Sequence, residues 1–147
     1  MSDSAIWNLQ YGFMKTTSLI KKSFPFPFVL DELASVRPRL KRMFGFTHVY
    51  LDERLLVSLR DSATRPATNG IWVYTSIEHL ESLAREFPQL PRRQLWRSGK
   101  NAWVVLASRL GEFEEYAFKV CELILNGDQR VGRVTRGIGA REPARRS

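Results

Sequence analysis

Alternating hydrophobic and polar positions mark the central part of the chain. Residues 40–51 form an extended stretch, and residues 47–51 within it alternate so that successive side chains point to opposite faces of a sheet. A second alternating run, residues 55–60, follows the polar pair Asp52 and Glu53. The pattern predicts two antiparallel strands joined by a tight turn.

Three further strands are predicted downstream. Residues 61–70 are rich in Ser, Thr, Pro, Asn and Gly, which is typical of a loop, and the run 71–74 after it predicts a third strand. Residues 94–97 and 102–107 predict a second hairpin around the turn at 98–101.

Helical spacing of apolar residues predicts three helices. The first covers residues 29–36 and ends before a proline. The second covers 77–87, and Thr75 with Glu78 three residues later is the pattern of a capping box at its start. The third covers 113–124, with glutamates in its first turn and Asn-Gly after its end.

The predicted order is therefore α-β-β-β-α-β-β-α. Strand pairs on tight turns indicate a largely antiparallel sheet, and the amphipathic helices indicate a second layer on one side of it. We predict a two-layer α+β domain over residues 29–127, preceded by an extended N-terminal arm at 1–28 and followed by an Arg-rich flexible tail at 128–147.

The arm ends in alternating phenylalanine and proline, a pattern that excludes a helix interior and a central strand. Phe24, Phe26 and Phe28 would be costly to leave in water. Two interpretations remain open at this point: the three rings pack on the core of their own domain, or they dock on a second copy of the chain as a homodimer.

Composition fits one cytoplasmic domain. The 147 residues are 44% hydrophobic, enough for one buried core, and no uncharged apolar run approaches the ~20 residues that span a bilayer, so no membrane association is expected. The single cysteine, Cys121, cannot form an internal disulfide, which fits a reducing compartment.

Candidate chemistry is sparse. The two histidines, His48 and His79, lack the spacing of a metal site, and Cys121 falls on the apolar stripe of the last helix, where a thiol packs as a small hydrophobe. No glycine-rich phosphate loop precedes a helix. We therefore predict no catalytic residue, metal or cofactor, and a protein that is not an enzyme.

Charge points towards polyanions instead. The net charge is +8, and residues 130–147 hold six arginines and one glutamate, hence +5 of that excess. Basic residues also cluster at 37–42 and around the second hairpin, close in sequence to Trp96 and Trp103, which could stack on bases. The competing interpretation is that these cations are solvated and the tryptophans belong to the core. The candidate phosphate-binding residues are Arg92, Arg93, Arg97, Lys100, Arg130, Arg133 and Arg136.

Two segments resemble known families. Residues 42–45, Arg-Met-Phe-Gly, followed by the hairpin at 49–57, resemble the TfoX N-terminal domain family, in which Arg-Met-Phe-Gly-Gly leads into a Tyr-Leu-Asp-Gly hairpin. The helix ending at 87–88 and the run 100–105 are similar to the related YjbR (MmcQ) domains. The resemblance covers residues 29–127 and implies a secretion-chaperone-like α+β fold.

The chain departs from the TfoX pattern at Phe46 and Glu53, where that family has glycine. TfoX proteins are linked to competence regulation and YjbR-like domains have been proposed to bind DNA, and the resemblance supplies no catalytic residue. The leading hypothesis is a non-enzymatic, regulatory domain that binds nucleic acid through its basic surface and tail. The alternative is a protein-interaction or chaperone-like dimer that uses the Phe-Pro arm or a sheet face.

Overall fold

Seven strands and three helices make up the part of the chain that a computed structural model describes, residues 24–135. In chain order they are α1 Pro27–Glu32, β1 Arg39–Met43, β2 Phe46–Leu51, β3 Arg54–Arg60, β4 Gly70–Ser76, α2 Ile77–Ala84, β5 Leu95–Ser98, β6 Asn101–Ala107, α3 Phe113–Leu125 and β7 Arg133–Val134. Short 3-10 turns follow α1 at Ala34–Val36 and precede β4 and β5.

All strands join one antiparallel sheet in the order β1-β2-β3-β4-β6-β5, with β7 paired to β3. The predicted α+β class with a largely antiparallel sheet is confirmed. Two strands of the described region, β1 and β7, were not expected from the sequence.

The first unexpected strand arises because residues 40–51 are a hairpin and not one extended stretch. Phe44 and Gly45 close it with positive φ values of 56° and 82°, and Met43 pairs with Phe46 on either side. Two consecutive residues in this left-handed region are what a type I′ hairpin turn requires. The sheet therefore has a charged edge strand, β1, before the predicted pair.

Both predicted hairpins form. Asp52 adopts a φ of 57° between β2 and β3, and Leu51 pairs with Arg54 across that turn. Gly99, at a φ of 63°, turns β5 into β6, where Ser98 pairs with Asn101.

The helices differ from prediction mainly at their ends. α1 begins at Pro27, since proline is tolerated in the first turn of a helix, and continues as a 3-10 turn to Val36. The predicted capping box at α2 is wrong. Thr75 belongs to β4 and its buried hydroxyl has no hydrogen-bond partner, while Ser76 occupies the N-cap position without a side-chain cap.

α3 ends as predicted. The amide of Gly127 donates to the carbonyl of Ile124, and that of Asp128 donates to the carbonyl of Leu123, with Gly127 at a φ of 70°. These two bonds form a Schellman motif, which satisfies carbonyls that the helix end would leave unpaired.

The helices pack on one face of the sheet. The strand side chains of the core share that face because they occupy alternate positions and pair in register, as Val57 does with Val73 and Val73 with Val104. Leu80 and Leu83 of α2 and the apolar stripe of α3 complete the core. In the described region the other face of the sheet carries no helix.

The Phe-Pro segment packs on its own domain. Phe26 lies 5.0 Å from Phe113 between ring centroids, and Phe28 lies 5.3 Å from Phe118. The side chain of Phe24 also packs against the core. The three rings therefore pack on their own domain, while a homodimer through them stays a prediction, and the predicted domain boundary at residue 29 falls within packed structure.

The chain also stays packed beyond residue 127. Val131 is buried in the core, the amide of Gly132 donates to the carbonyl of Tyr74, and β7 pairs with the start of β3. The Arg54 guanidinium donates to the carbonyls of Val131 and Gly132, at 2.7 and 3.1 Å. The predicted start of the tail at 128 therefore lies inside the fold, while residues 136–147 lie outside the described region.

Candidate functional site

A row of aromatic side chains crosses the face of the sheet opposite the helices. The ring centroids of Trp96 and Trp103 are 6.2 Å apart, those of Trp103 and Trp72 are 6.5 Å apart, and those of Trp72 and Phe46 are 4.8 Å apart. Neighbouring indole planes in the row are within 4° of parallel. The rings come from four strands, β5, β6, β4 and β2, and the row crosses β3 between Trp72 and Phe46.

Strand alternation explains why these rings share one face. Trp103 pairs with Trp96 on one side and with Tyr74 on the other. Trp72 is two residues before Tyr74, and therefore on the same face. Their neighbours in sequence, such as Val73 and Val104, point into the core.

Three side chains next to the row, Tyr74, Ser58 and His48, are linked by hydrogen bonds. The Tyr74 hydroxyl donates to Ser58 Oγ at 2.9 Å, and Ser58 Oγ lies 2.5 Å from His48 Nδ1. Since Ser58 accepts from Tyr74, its own proton is available for an unprotonated Nδ1. Burial, then the charges of Lys41 and Arg133, lower the pKa of His48, which favours the neutral imidazole.

Cations flank the rings on the same face. The guanidinium carbons of Arg39, Arg60 and Arg133 lie 4.3, 5.0 and 4.7 Å from the ring centroids of Tyr50, Phe46 and Tyr74, respectively. These distances are in the range of cation-π contacts. Lys41 shares the face because it pairs with His48.

Acidic residues are missing from the sheet. None of the seven described strands contains Asp or Glu, whereas together they hold seven Lys and Arg residues. The carboxylates of the described region lie in helices, turns and loops. The strand cations are Arg39, Lys41, Arg42, Arg54, Arg60, Arg97 and Arg133.

The structure divides the candidate residues around the second hairpin. Arg92 and Arg97 both bind Glu81 of α2, at 2.8 and 2.9 Å, on an exposed edge of the domain. Hydrogen bonding from Arg92 is the main cause that lowers the pKa of Glu81. Arg93 and Lys100 are exposed on the same edge. This edge lies beside the row of tryptophans, not on it.

Arg130 is placed differently, because its guanidinium is fully engaged. It contacts Glu86 at 2.7 Å and Asp128 at 2.8 Å, and also donates to the carbonyl and hydroxyl of Ser82 at 3.0 Å. The hydrogen bonds from Arg130 lower the pKa of Asp128 to about 2. Arg130 thus ties the segment after α3 to α2.

Of the predicted candidates, Arg133 alone is placed by the described structure on the aromatic face, and Arg136 lies outside the described residues. Sequence reasoning noted the basic run at 37–42 but did not assign Arg39 and Lys41 to the site. Strand alternation was the signal that could have found them. His48 and Tyr50 lie on the same face of β2, and their partners on β1 are Lys41 and Arg39, which therefore share that face.

The described residues give little support for a metal site or for a cysteine nucleophile. Within residues 24–135, no three His, Cys, Asp or Glu side chains are grouped to hold a metal ion. Cys121 is buried in the core as predicted, and burial, with a smaller effect of Glu32, raises its thiol pKa to about 12. That shift disfavours the thiolate that nucleophilic chemistry needs.

No protein-family model, curated protein or solved structure matches the chain. The resemblance to TfoX and YjbR domains therefore stays a prediction. No helix between residues 24 and 135 is long and apolar enough to cross a membrane.

Proposed function

We propose that the protein is a non-enzymatic domain that binds nucleic acid on the face of its sheet opposite the three described helices. We call this surface the aromatic-basic face; its residues are Arg39, Lys41, Phe46, His48, Tyr50, Arg60, Trp72, Tyr74, Trp96, Trp103 and Arg133. The carrying observation is the composition of this face, where aligned aromatic rings lie with four of the seven strand cations, Arg39, Lys41, Arg60 and Arg133, while the described strands contain no acid.

This combination suits nucleic acid on physical grounds. Phosphates are attracted by clustered Lys and Arg, and binding releases condensed counterions, so the affinity falls with salt. Aromatic rings offer stacking surfaces to bases. The exposed edge with Arg93 and Lys100 continues the positive surface beside Trp96. The proposal therefore keeps part of the predicted site and moves its centre to the sheet.

A second copy of the chain is the less favoured occupant. A twofold interface would bring the same patch from both copies together, so Arg39, Lys41 and Arg133 would face like charges. The Phe-Pro arm does not favour a dimer either, since Phe26 and Phe28 pack on α3. A cytoplasmic, regulatory role of the kind implied by the TfoX and YjbR resemblance is consistent with the proposal.

The test is fluorescence anisotropy of labelled DNA and RNA at low salt with the full chain. We expect binding whose logarithm falls linearly with the logarithm of salt concentration. In the double variant Arg39→Gln/Lys41→Gln the slope should become shallower by about 1.4, at roughly 0.7 per phosphate contact on a single strand. Absence of binding to every nucleic acid at low salt would refute the proposal.

A charge-matched control distinguishes binding by this face from attraction to the net charge of the protein. Arg85, after α2, and Arg109, after β6, are exposed and lie outside the strands. Arg85→Gln/Arg109→Gln removes the same two charges and should leave the slope within experimental error. Equal loss in both double variants would show attraction to overall charge, and would remove the aromatic-basic face from the proposal.

A further inference from the structure

We infer that the aromatic-basic face selects single-stranded over duplex nucleic acid, with successive bases stacked on Trp96, Trp103 and Trp72. The inference rests on the proposed function and adds the class of ligand. The row of parallel indoles carries it, because charge alone would attract single strands and duplexes alike.

The indoles are accessible enough for stacking. Trp96 is 49% exposed at the edge strand β5, and Trp103 and Trp72 are partly exposed further inward. A packed core would bury such rings, as it does Phe87 at 1% exposed. The row is therefore a graded surface: an open indole at the sheet edge, followed by two that are covered in part by their neighbours.

Base geometry then favours single strands. In a duplex each base already stacks on its neighbours and pairs through its edge, so its face cannot lie on an indole without unstacking. Bases of a single strand can splay out and stack on protein aromatics. Each stacked base contributes about 1–3 kcal/mol by alanine substitution, which corresponds to roughly 5- to 150-fold in affinity.

Two cations of the face, Arg39 and Lys41, lie at the side opposite Trp96. Trp96 stands on β5 at one edge of the sheet, while Arg39 and Lys41 stand on β1 at the other. Five interstrand spacings of about 4.8 Å separate the two edges, about 24 Å in all. A single strand that crosses the sheet thus meets stacking surfaces first and phosphate contacts second, which suits a short site of about four to eight nucleotides.

The experiment titrates the full chain with five probes and follows intrinsic tryptophan fluorescence and competition anisotropy. The probes are dT12, rU12, a mixed-sequence 12-mer, the same 12-mer as a duplex, and heparin as a polyanion without bases. We expect the single strands to quench fluorescence and to bind at least tenfold more tightly than the duplex. Comparison of the affinities for dT12 and rU12 shows whether the face prefers single-stranded DNA or single-stranded RNA.

Two substitutions at one position test the stacking itself. Trp96→Ala should weaken binding of the single strands by about 5-fold or more, while Trp96→Phe, which keeps a ring, should recover most of that loss. Heparin binding should not change in either variant. Far-ultraviolet circular dichroism checks that both variants fold. If Trp96→Ala does not fold, the affinity of Trp96→Phe still provides a readout.

The outcomes separate this inference from the proposed function. If duplex binds as tightly as single strands and Trp96→Ala has no effect, the inference is overturned while nucleic-acid binding survives. If heparin alone binds, the domain recognises a polyanion other than nucleic acid, and both the inference and the proposed function fail. If no probe binds at low salt, the inference and the proposed function both fall.

Discussion

The indoles of Trp96 and Trp103 lie parallel across strands β5 and β6, with 6.2 Å between their centroids and 2° between their planes. The two residues are direct cross-strand partners in register. Because β5 pairs only with β6 among the described strands, this aromatic pair helps to hold the edge strand in place.

The pair makes a prediction for stability. Trp96→Ala should lower the free energy of unfolding by about 1 kcal/mol, since aromatic pairs contribute about 0.5–1.5 kcal/mol beyond the area they bury. Trp96→Phe should lower it by less than half as much. Urea denaturation followed by far-ultraviolet circular dichroism measures both values. A loss above about 3 kcal/mol would show that Trp96 is a core residue and not part of an accessible surface.

Cys121 should be unreactive in the folded protein. The thiol is 1% exposed and its pKa is raised to about 12, so both access and thiolate are lacking at neutral pH. We expect labelling by a disulfide reagent such as DTNB to be at least 100-fold slower in buffer than in concentrated urea. Fast labelling in buffer would mean that α3 opens locally and that the packing around Val29 and Val120 is loose.

Local signals explain why much of the fold could be predicted. The third helix has a long apolar stripe and an Asn-Gly stop, and both hairpins have polar or glycine-containing turns. These features act over a few residues, so the sequence shows them directly. β1 was missed because Leu40 and Val49 belong to strands that pair across Phe44 and Gly45, a turn whose first residue is an unusual choice for positive φ.

β7 could not be predicted for a different reason. Arg133–Val134 is only two residues long and has no alternation to detect. It forms because Arg54 holds the preceding carbonyls and because β4 pairs with β3 only from Val57 onward, which leaves that side of Arg54 and Leu55 open for β7. Such a strand depends on distant partners, which a single sequence does not display.

The sequence predicted the chemistry of the candidate site better than its location in the fold. Stacking by Trp96 and Trp103 was considered from their position near basic residues, but Trp72 joins them only through the pairing of β4 with β6. Both faces of β4 are apolar, with Val73 inward and Trp72 outward. Periodicity therefore could not tell which face the helices cover.

Acid should destabilise the protein through His48. Burial and the charges of Lys41 and Arg133 lower its pKa from 6.5, so the unfolded chain binds a proton that the folded chain resists. Stability is then fully present above about pH 6.5 and falls as the pH drops below that value. Tyr74 also faces His48 through Ser58, but its raised pKa keeps it neutral throughout this range.

Urea denaturation between pH 5 and 8 measures this effect, with His48→Gln as the comparison. Glutamine keeps a polar partner for Ser58 and cannot titrate, so the variant should show a flatter pH dependence between 5 and 6.5. The loss of slope should amount to no more than about 1.4 kcal/mol per pH unit, the limit for one proton. An unchanged slope would exclude His48 as its origin.

Arg130 should matter for stability and not for nucleic-acid binding. Its guanidinium bridges Glu86 and Asp128, and all three side chains are less than 30% exposed. Arg130→Met would leave both carboxylates without their main partner, so we expect the free energy of unfolding at pH 7 to fall by about 1–3 kcal/mol. Arg93→Gln, at an exposed position, should change it by less than about 0.5 kcal/mol.

The pH dependence identifies the ion pair as the cause. Asp128 has a pKa of about 2 in the folded chain against 3.8 as its ordinary value, so its contribution is complete above about pH 4 and is lost as the pH falls towards 2. Arg130→Met should therefore approach the stability of the parent protein near pH 2 while differing from it at pH 7. Because the same guanidinium has no free donor for a phosphate once these contacts and Ser82 are counted, anisotropy with dT12 should give an unchanged affinity. A clear loss of affinity in the folded variant would return Arg130 to the binding surface.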